Sequence, residues 1–156
     1  MNQSERRRYL IQELLDEQKE YSHFSIPEDS GGQKDLLRGL LNVRAPKMLS
    51  REFLKIQDEY LKEETEKKGI IELADLTPVE QGIYLWQGDI TTLRCDAIVN
   101  AANSGMTGCY APNHKCIDNC IHTFAGAQLR YECAQMMKAQ GHEEPTGQAK
   151  ITAAYN

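Results

Sequence analysis

The spacing of apolar residues changes near residue 80, and this change limits what the chain can fold into. Before residue 80, apolar side chains recur every three or four positions, as at Leu10 and Leu14, which is typical of amphipathic helices. After it, short branched runs such as "IYLWQGDI" and "DAIVNAA" are separated by polar stretches, which is typical of strands. We therefore predict two segments, an all-helical one over 1–79 and an α/β one over 80–156.

Three helices are predicted in the first segment. The first carries Leu10 and Leu14, and it is separated by the proline and paired glycines of "SIPEDSGGQ" from a second helix in "KDLLRGLLNVR". The third follows Ser50, a favourable N-cap, and ends at Gly69, a favourable stop. These helices are expected to pack through their apolar faces.

The second segment reads as strand, strand, loop, helix and strand. The helix is expected over 117–140, and "AKITAAYN" begins a further strand. This order predicts a parallel α/β sheet. Two or three strands are fewer than the usual roughly four to six, so we expect an incomplete domain whose remainder lies outside this sequence or in another chain.

Charge and apolar content exclude some classes of function. The net charge of −5 gives no broad attraction for nucleic acid or for an anionic membrane surface. The N-terminus has no apolar core of a secretory signal, and no apolar run approaches the roughly 18 residues of a membrane span. We therefore expect a cytoplasmic protein. In that reducing compartment, cysteines such as the five of this chain bind metal or take part in catalysis more often than they form disulfides.

The stretch "GCYAPNHKCIDNCIH", residues 108–122, contains three cysteines and two histidines. Cys109, His114 and Cys116 fall in its loop, and two thiolates with one imidazole suit Zn²⁺. Three protein ligands leave the fourth position open, as in catalytic sites, whereas Cys120 as a fourth ligand would make a closed structural site. Two other interpretations stay open: cysteines that are simply buried as small apolar residues, or redox chemistry.

Polar residues follow the two predicted strands. Asp89 ends the first, and Asn100 and Asn103 end the second. In open α/β sheets, ligands bind outside the carboxyl ends of the strands, and asparagine amides can bind sugar hydroxyls. The alternative is turn chemistry, which asparagine also favours.

"GDIT" followed by "DAIVNAAN" resembles the signature of the macrodomain family, which binds ADP-ribose. In place of that family's glycine run stands the Cys/His loop, and the family's aspartate is kept as Asp118. This resembles the zinc-dependent bacterial macrodomains, which carry a helical N-terminal extension. The resemblance implies a three-layer α/β/α macrodomain of which 80–156 is the N-terminal part. Its C-terminal half, including a second glycine-rich loop, would be absent, and 1–79 would be the all-α extension.

The resemblance also implies roles for residues. Asp89 and the Ile90 backbone would bind adenine, Asn100 would shape the strand end, and Asn103 would hold the distal ribose. Zn²⁺ would be bound by Cys109, His114 and Cys116. Asp118 would be catalytic together with Asn103, although a carboxylate in the first turn of a helix also favours the helix by itself.

The implied function is that of a zinc-dependent hydrolase that removes ADP-ribose from mono-ADP-ribosylated proteins, with attack at the anomeric carbon of the distal ribose. A modified carrier protein related to the glycine-cleavage H protein is the partner that the resemblance suggests. One alternative is a non-catalytic ADP-ribose-binding module with structural zinc, and another is an inactive fragment of the enzyme.

Overall fold

The first three helices form where the apolar spacing predicts them. The computed structural model describes residues 1–21 and 23–156. Its helices before residue 70 are α1 (Gln3–Asp16), α2 (Ser30–Val43) and α3 (Arg51–Lys68). Short 3₁₀ turns lie at Lys19–Tyr21, Leu73–Asp75 and Ile90–Thr92.

Each of these helices begins at a side chain that binds a free backbone N–H. The side chain of Asn2 accepts from Glu5, that of Asp29 from Gly32 and that of Ser50 from Phe53, and such caps are typically worth about 1 kcal/mol. The predicted start of α2 near residue 34 is wrong, because the Asp29 cap brings the paired glycines into the first helical turn. Gly69 ends α3 with a φ of +89°, as predicted.

The three helices share one apolar core. Its buried members come from all three helices and are Leu10, Ile11, Leu14, Leu15, Leu37, Leu40, Leu41, Phe53, Ile56, Tyr60 and Leu61. Burying one such side chain contributes about 1.5–3 kcal/mol. Within the described residues, no helix combines the length and apolar character needed to cross a bilayer.

The sheet content is small. Strands β1 (Ile71–Glu72) and β4 (Leu93–Arg94) pair in parallel, while β2 (Pro78–Glu80) and β3 (Ile83–Tyr84) pair antiparallel. Together with the helices they make a mixed α/β fold, which confirms the predicted class.

The longer predicted strands do not form in the part of the chain that the structure describes. "IYLWQGDI" is a strand only at Ile83–Tyr84, and neither "DAIVNAA" nor "AKITAAYN" is one. Val99 and Ile151 are 89% and 91% exposed. A strand needs a neighbour for its backbone hydrogen bonds, and no described strand lies beside these segments.

The predicted helix over 117–140 is two helices, α4 (Ile117–Ala125) and α5 (Ala127–Gln140). They part at Gly126, whose φ is +98°. The Gln57 side chain of α3 fills the break: its Oε1 accepts the Ala127 N–H at 3.0 Å. Buried residues of the two helices form a second, smaller core, namely Ile121, Ala125, Leu129 and Cys133.

Candidate functional site

The loop before α4 brings three metal-ligand side chains together. The Sγ atoms of Cys109 and Cys116 and a ring nitrogen of His114 all lie within 4.8 Å of one another. Cys109 Sγ is 3.5 Å from His114 Nδ1. The loop turns through Gly108 and Asn113, whose φ angles are +84° and +55°. Among residues 1–21 and 23–156, Cys109, His114 and Cys116 are the one group of three or more possible metal ligands whose ligand atoms lie this close together.

The separation of Cys109 Sγ and His114 Nδ1 fits two ligands of one tetrahedrally coordinated ion. With usual Zn–S and Zn–N bonds, tetrahedral geometry places sulfur about 3.6 Å from nitrogen and about 3.8 Å from a second sulfur. The observed separation of Cys109 Sγ and His114 Nδ1, 3.5 Å, is close to the first value. The group can therefore hold a metal ion, and its two sulfurs and one nitrogen are the donor types that zinc uses.

Cys120 lies outside this group. Its Sγ is 3.4 Å from Arg38 Nη2, a donor from α2, and it is not a member of the cluster. Among the described residues, the cluster thus has three members, Cys109, His114 and Cys116.

Cys116 is also the N-cap of α4. The backbone N–H of Asn119 donates to its Sγ at 3.4 Å. That hydrogen bond lowers the pKa of Cys116, but burial, the Cys109 sulfur and the Asp118 carboxylate together raise the pKa above its ordinary value. A cation in the cluster would offset this by favouring the thiolate.

Asp118, in the first turn of α4, is a buried carboxylate with amide donors around it. Asn100 Nδ2 donates to its Oδ1 at 2.8 Å, and Asn103 Nδ2 lies 3.5 Å from its Oδ2. Asp118 is only 5% exposed. The structure thus brings together Asn100, Asn103 and Asp118. Asp118 lies two positions after Cys116 of the cluster.

His122, one helical turn after Asp118, joins this group. Its Nε2 lies 3.6 Å from Asp118 Oδ1. Burial lowers the pKa of His122 to about 4, against the raising effect of Asp118, and Arg130 lowers it further. The imidazole is therefore neutral at pH 7. Its position four residues after Asp118 was the signal that would have found it.

The backbone at Gly108 lies against the His122 ring and restricts its position. A Cβ atom at Gly108 would lie 2.7 Å from His122 Cγ, which is too close for any side chain. The loop backbone therefore packs directly on the imidazole.

Asp89 and Asp118 have different hydrogen-bond partners. Its Oδ1 accepts from the N–H and the hydroxyl of Thr91, and its Oδ2 accepts from Lys68 Nζ at 2.9 Å. Burial raises the pKa of Asp89, but the Thr91 and Lys68 hydrogen bonds lower it below the ordinary value. Lys68 Nζ also lies 3.0 Å from the centre of the Phe124 ring. Ile90 opens the following 3₁₀ turn and packs on the smaller core.

Comparison with known proteins bears on this arrangement. Residues 99–156 match the family described as Macro domain. The chain is 61% identical over 160 residues to the "Protein-ADP-ribose hydrolase" of Treponema medium, covering 100% of this chain and 61% of that protein. It is 45% identical over 149 residues to a protein of the same name from Staphylococcus aureus strain MRSA252, covering 95% of this chain and 56% of that protein.

The chain spans about three fifths of the length of these relatives. The matched range contains the Cys–His–Cys cluster, Asn100, Asn103 and Asp118. Residues 99–156 are thus the part of the chain whose sequence is similar to the macro domain family.

Proposed function

We propose that this chain acts in the zinc-dependent hydrolysis of ADP-ribose from mono-ADP-ribosylated proteins. The observation that carries the proposal is the buried Asp118 carboxylate, oriented by Asn100 and placed two positions after Cys116 of the Cys–His–Cys cluster. The relatives from Treponema medium and Staphylococcus aureus are named protein-ADP-ribose hydrolases, which supports the same reaction class.

Asp118 would stabilise the positive charge that develops on the sugar. Cleavage at the anomeric carbon passes through an oxocarbenium-like transition state, and a fixed, desolvated carboxylate stabilises such charge more strongly than one in water. Asn100 and His122 would hold that carboxylate in place. Asn103 Nδ2 lies 3.5 Å from Asp118 Oδ2, at the outer limit of a hydrogen bond. The Asn103 amide would bind the distal ribose.

The proposed metal is zinc, held by Cys109, His114 and Cys116. When bound, it would supply Lewis-acid polarisation next to the sugar. The donor set and the 3.5 Å separation of Cys109 Sγ and His114 Nδ1 support this choice. The ligand atoms belong to one short loop, so a single segment would carry the whole metal centre.

The remaining assignments are proposals of the same kind. Asp89 and the Ile90 backbone would bind adenine, with the charge of Asp89 balanced by Lys68. The proposed division is a helical extension over 1–79 and a macrodomain part over 80–156. A cytoplasmic location and a glycine-cleavage H-like carrier as partner stay predictions from the resemblance alone.

The test is release of ADP-ribose from a panel of proteins mono-ADP-ribosylated on different side chains. We expect zinc-loaded chain to release it, and Asp118→Asn to lower the rate about 10²–10³-fold, the loss typical of removing one stabilising group of this kind. Asn103→Ala should weaken substrate binding as well. No release by this chain, under conditions in which the Treponema medium relative is active, would contradict the proposal.

A further inference from the structure

The metal-ligand loop, residues 109–116, lies directly on helix α2. Gly39 of α2 faces it: a Cβ atom there would be 3.5 Å from the Asn113 side chain and 3.9 Å from Pro112 Cβ. Residues Arg38 and Asn42 flank this contact, and because they are four positions apart they share one face of the helix. The helix belongs to the segment before residue 80, which the sequence analysis treated as an extension.

Arg38 holds two of the three ligand residues. Its Nη2 donates to the His114 carbonyl oxygen at 2.9 Å and to Asn119 Oδ1 at 2.9 Å. Asn119 is 0% exposed, and its backbone N–H donates to Cys116 Sγ. Arg38 therefore contacts His114 directly and reaches Cys116 through one intermediate side chain.

Asn42 holds the residue next to His114. Its Oδ1 accepts the Asn113 N–H at 3.0 Å, and its Nδ2 donates to Thr123 Oγ1 at 3.0 Å. Asn42 is 1% exposed; its bond to Thr123 is buried, and its bond to Asn113 is partly buried. Because the buried Asn42 amide is paired at both its oxygen and its nitrogen, its side chain is fixed against the loop.

The third ligand residue is tied to α2 through Arg130 of α5. Arg130 Nη2 donates to the Cys109 carbonyl oxygen at 3.2 Å, while its Nη1 donates to the carbonyl oxygens of Leu41 and Arg44 at 3.2 and 3.0 Å. All three ligand residues are thus connected, directly or through one intervening residue, to α2 or its C-cap.

We infer that α2 is an integral part of the metal centre and that Arg38 and Asn42 are positioning residues, which hold the loop so that its three ligand atoms converge before a metal binds. This rests on the proposed metal site at Cys109, His114 and Cys116. Outer contacts of this kind typically change metal affinity by about 10–100-fold when removed, because the ligands must then be ordered when the metal binds.

The test measures metal binding by the whole chain rather than turnover. Zn²⁺ affinity is measured by competition with a chromophoric chelator, and Co²⁺ is used as a spectroscopic probe. We expect Arg38→Met to weaken Zn²⁺ binding about 10–100-fold. We also expect weaker Co²⁺ d–d absorption per bound ion, with the thiolate charge-transfer band retained, because His114 is the ligand that Arg38 holds directly.

Lys34→Met is the matched control. Lys34 lies one turn earlier on α2, and its Nζ pairs with Glu64 at 2.6 Å rather than with the loop. We expect this variant to keep wild-type affinity and spectrum. Far-UV circular dichroism checks folding, and Asn42→Ala, with the same expected loss of affinity, replaces Arg38→Met if that variant does not fold.

The outcomes separate the two proposals. If the wild-type chain binds Zn²⁺ and the variants Arg38→Met and Asn42→Ala bind it with the same affinity and the same Co²⁺ spectrum, the positioning role is overturned. The proposed metal site would still stand. Failure of the wild-type chain to bind Zn²⁺ or Co²⁺ would overturn both. Equal losses in Arg38→Met and Lys34→Met would also overturn the positioning role, since they would reflect general helix stability.

Discussion

Asp118 and His122 make a buried pair that the sequence presents only as two residues in one helix. The carboxylate and the imidazole lie 3.6 Å apart, and both are shielded from solvent. Because the imidazole is neutral at pH 7, it faces Asp118 as a dipole rather than as a counter-charge. In the proposed reaction, the Asp118 carboxylate would therefore not be neutralised by an imidazolium.

The lowered pKa of His122 predicts a pH dependence of stability. The ordinary pKa of 6.5 applies to the unfolded chain and about 4 to the folded one, so between these values only the unfolded state binds the proton. The free energy of unfolding of the metal-free protein should therefore be highest above pH 6.5 and fall as the pH drops to 4. The fall is on the order of 3 kcal/mol.

Urea unfolding between pH 4 and 7, with chelator present, measures this fall. His122→Gln keeps a donor toward Asp118 but does not titrate, so its stability should decline less over this range. A decline as steep as that of the wild-type protein would show that other groups cause it.

Gly108→Ala should destabilise the protein through two effects. The φ of +84° strains any residue with a side chain, and the new methyl group would meet the His122 ring. We expect a loss of about 1–3 kcal/mol, measured by urea unfolding. Gly141→Ala is the control, because Gly141 has a similar φ of +78° with nothing within 4 Å of the added Cβ. Equal losses in both variants would argue against the ring contact.

At the scale of elements, the end of α4 is set by a residue of another helix. Gln57 accepts the Ala127 N–H, and its Nε2 faces Gln128. These contacts from α3 thus help to hold the first turn of α5 in its direction after the break at Gly126.

Gln57→Leu tests this support. It leaves the partly buried Ala127 N–H without its partner, so we expect a loss of about 1–2 kcal/mol in the free energy of unfolding. Gln12→Leu, on the exposed face of α1, should change stability by less than about 0.5 kcal/mol. The two are compared in urea, and similar values would refute a supporting role for Gln57.

At the scale of the whole molecule, the segment before residue 80 contacts the candidate site at two places. Arg38 of α2 binds the metal-ligand loop, and Lys68 of α3 binds Asp89. Helices α2 and α3 therefore contact the candidate site in this structure.

Zinc should stabilise the folded chain as a whole. A ligand at 100 times its dissociation constant adds about 2.7 kcal/mol, which for a chain of this size raises Tm by roughly 5–10 °C. Differential scanning calorimetry of Cys116→Ala should show no such rise. Cys95→Ala should keep it, since Cys95 lies outside the cluster, and a rise of equal size in Cys116→Ala would contradict the ligand assignment.

The sequence predicts what is local and misses what is distant. The three N-terminal helices follow from apolar spacing and from Ser50 and Gly69, and the cluster follows from three ligand residues within one loop. The helix break at Gly126 depends on Gln57, which is remote in the chain, and the absent strands depend on neighbours that no local pattern reveals. Arg38 and Asn42 escaped notice for the same reason, since their partners lie in another segment.

The hydrogen bond from Arg38 to the His114 carbonyl has a bearing on how natural variation is interpreted. The two residues are separated by 76 positions, and a change at Arg38 would ordinarily be classed as a neutral exchange on an accessory helix. On the proposed metal site, it should instead be grouped with changes at Cys109, His114 and Cys116, and compensating changes should be sought among the residues that flank His114.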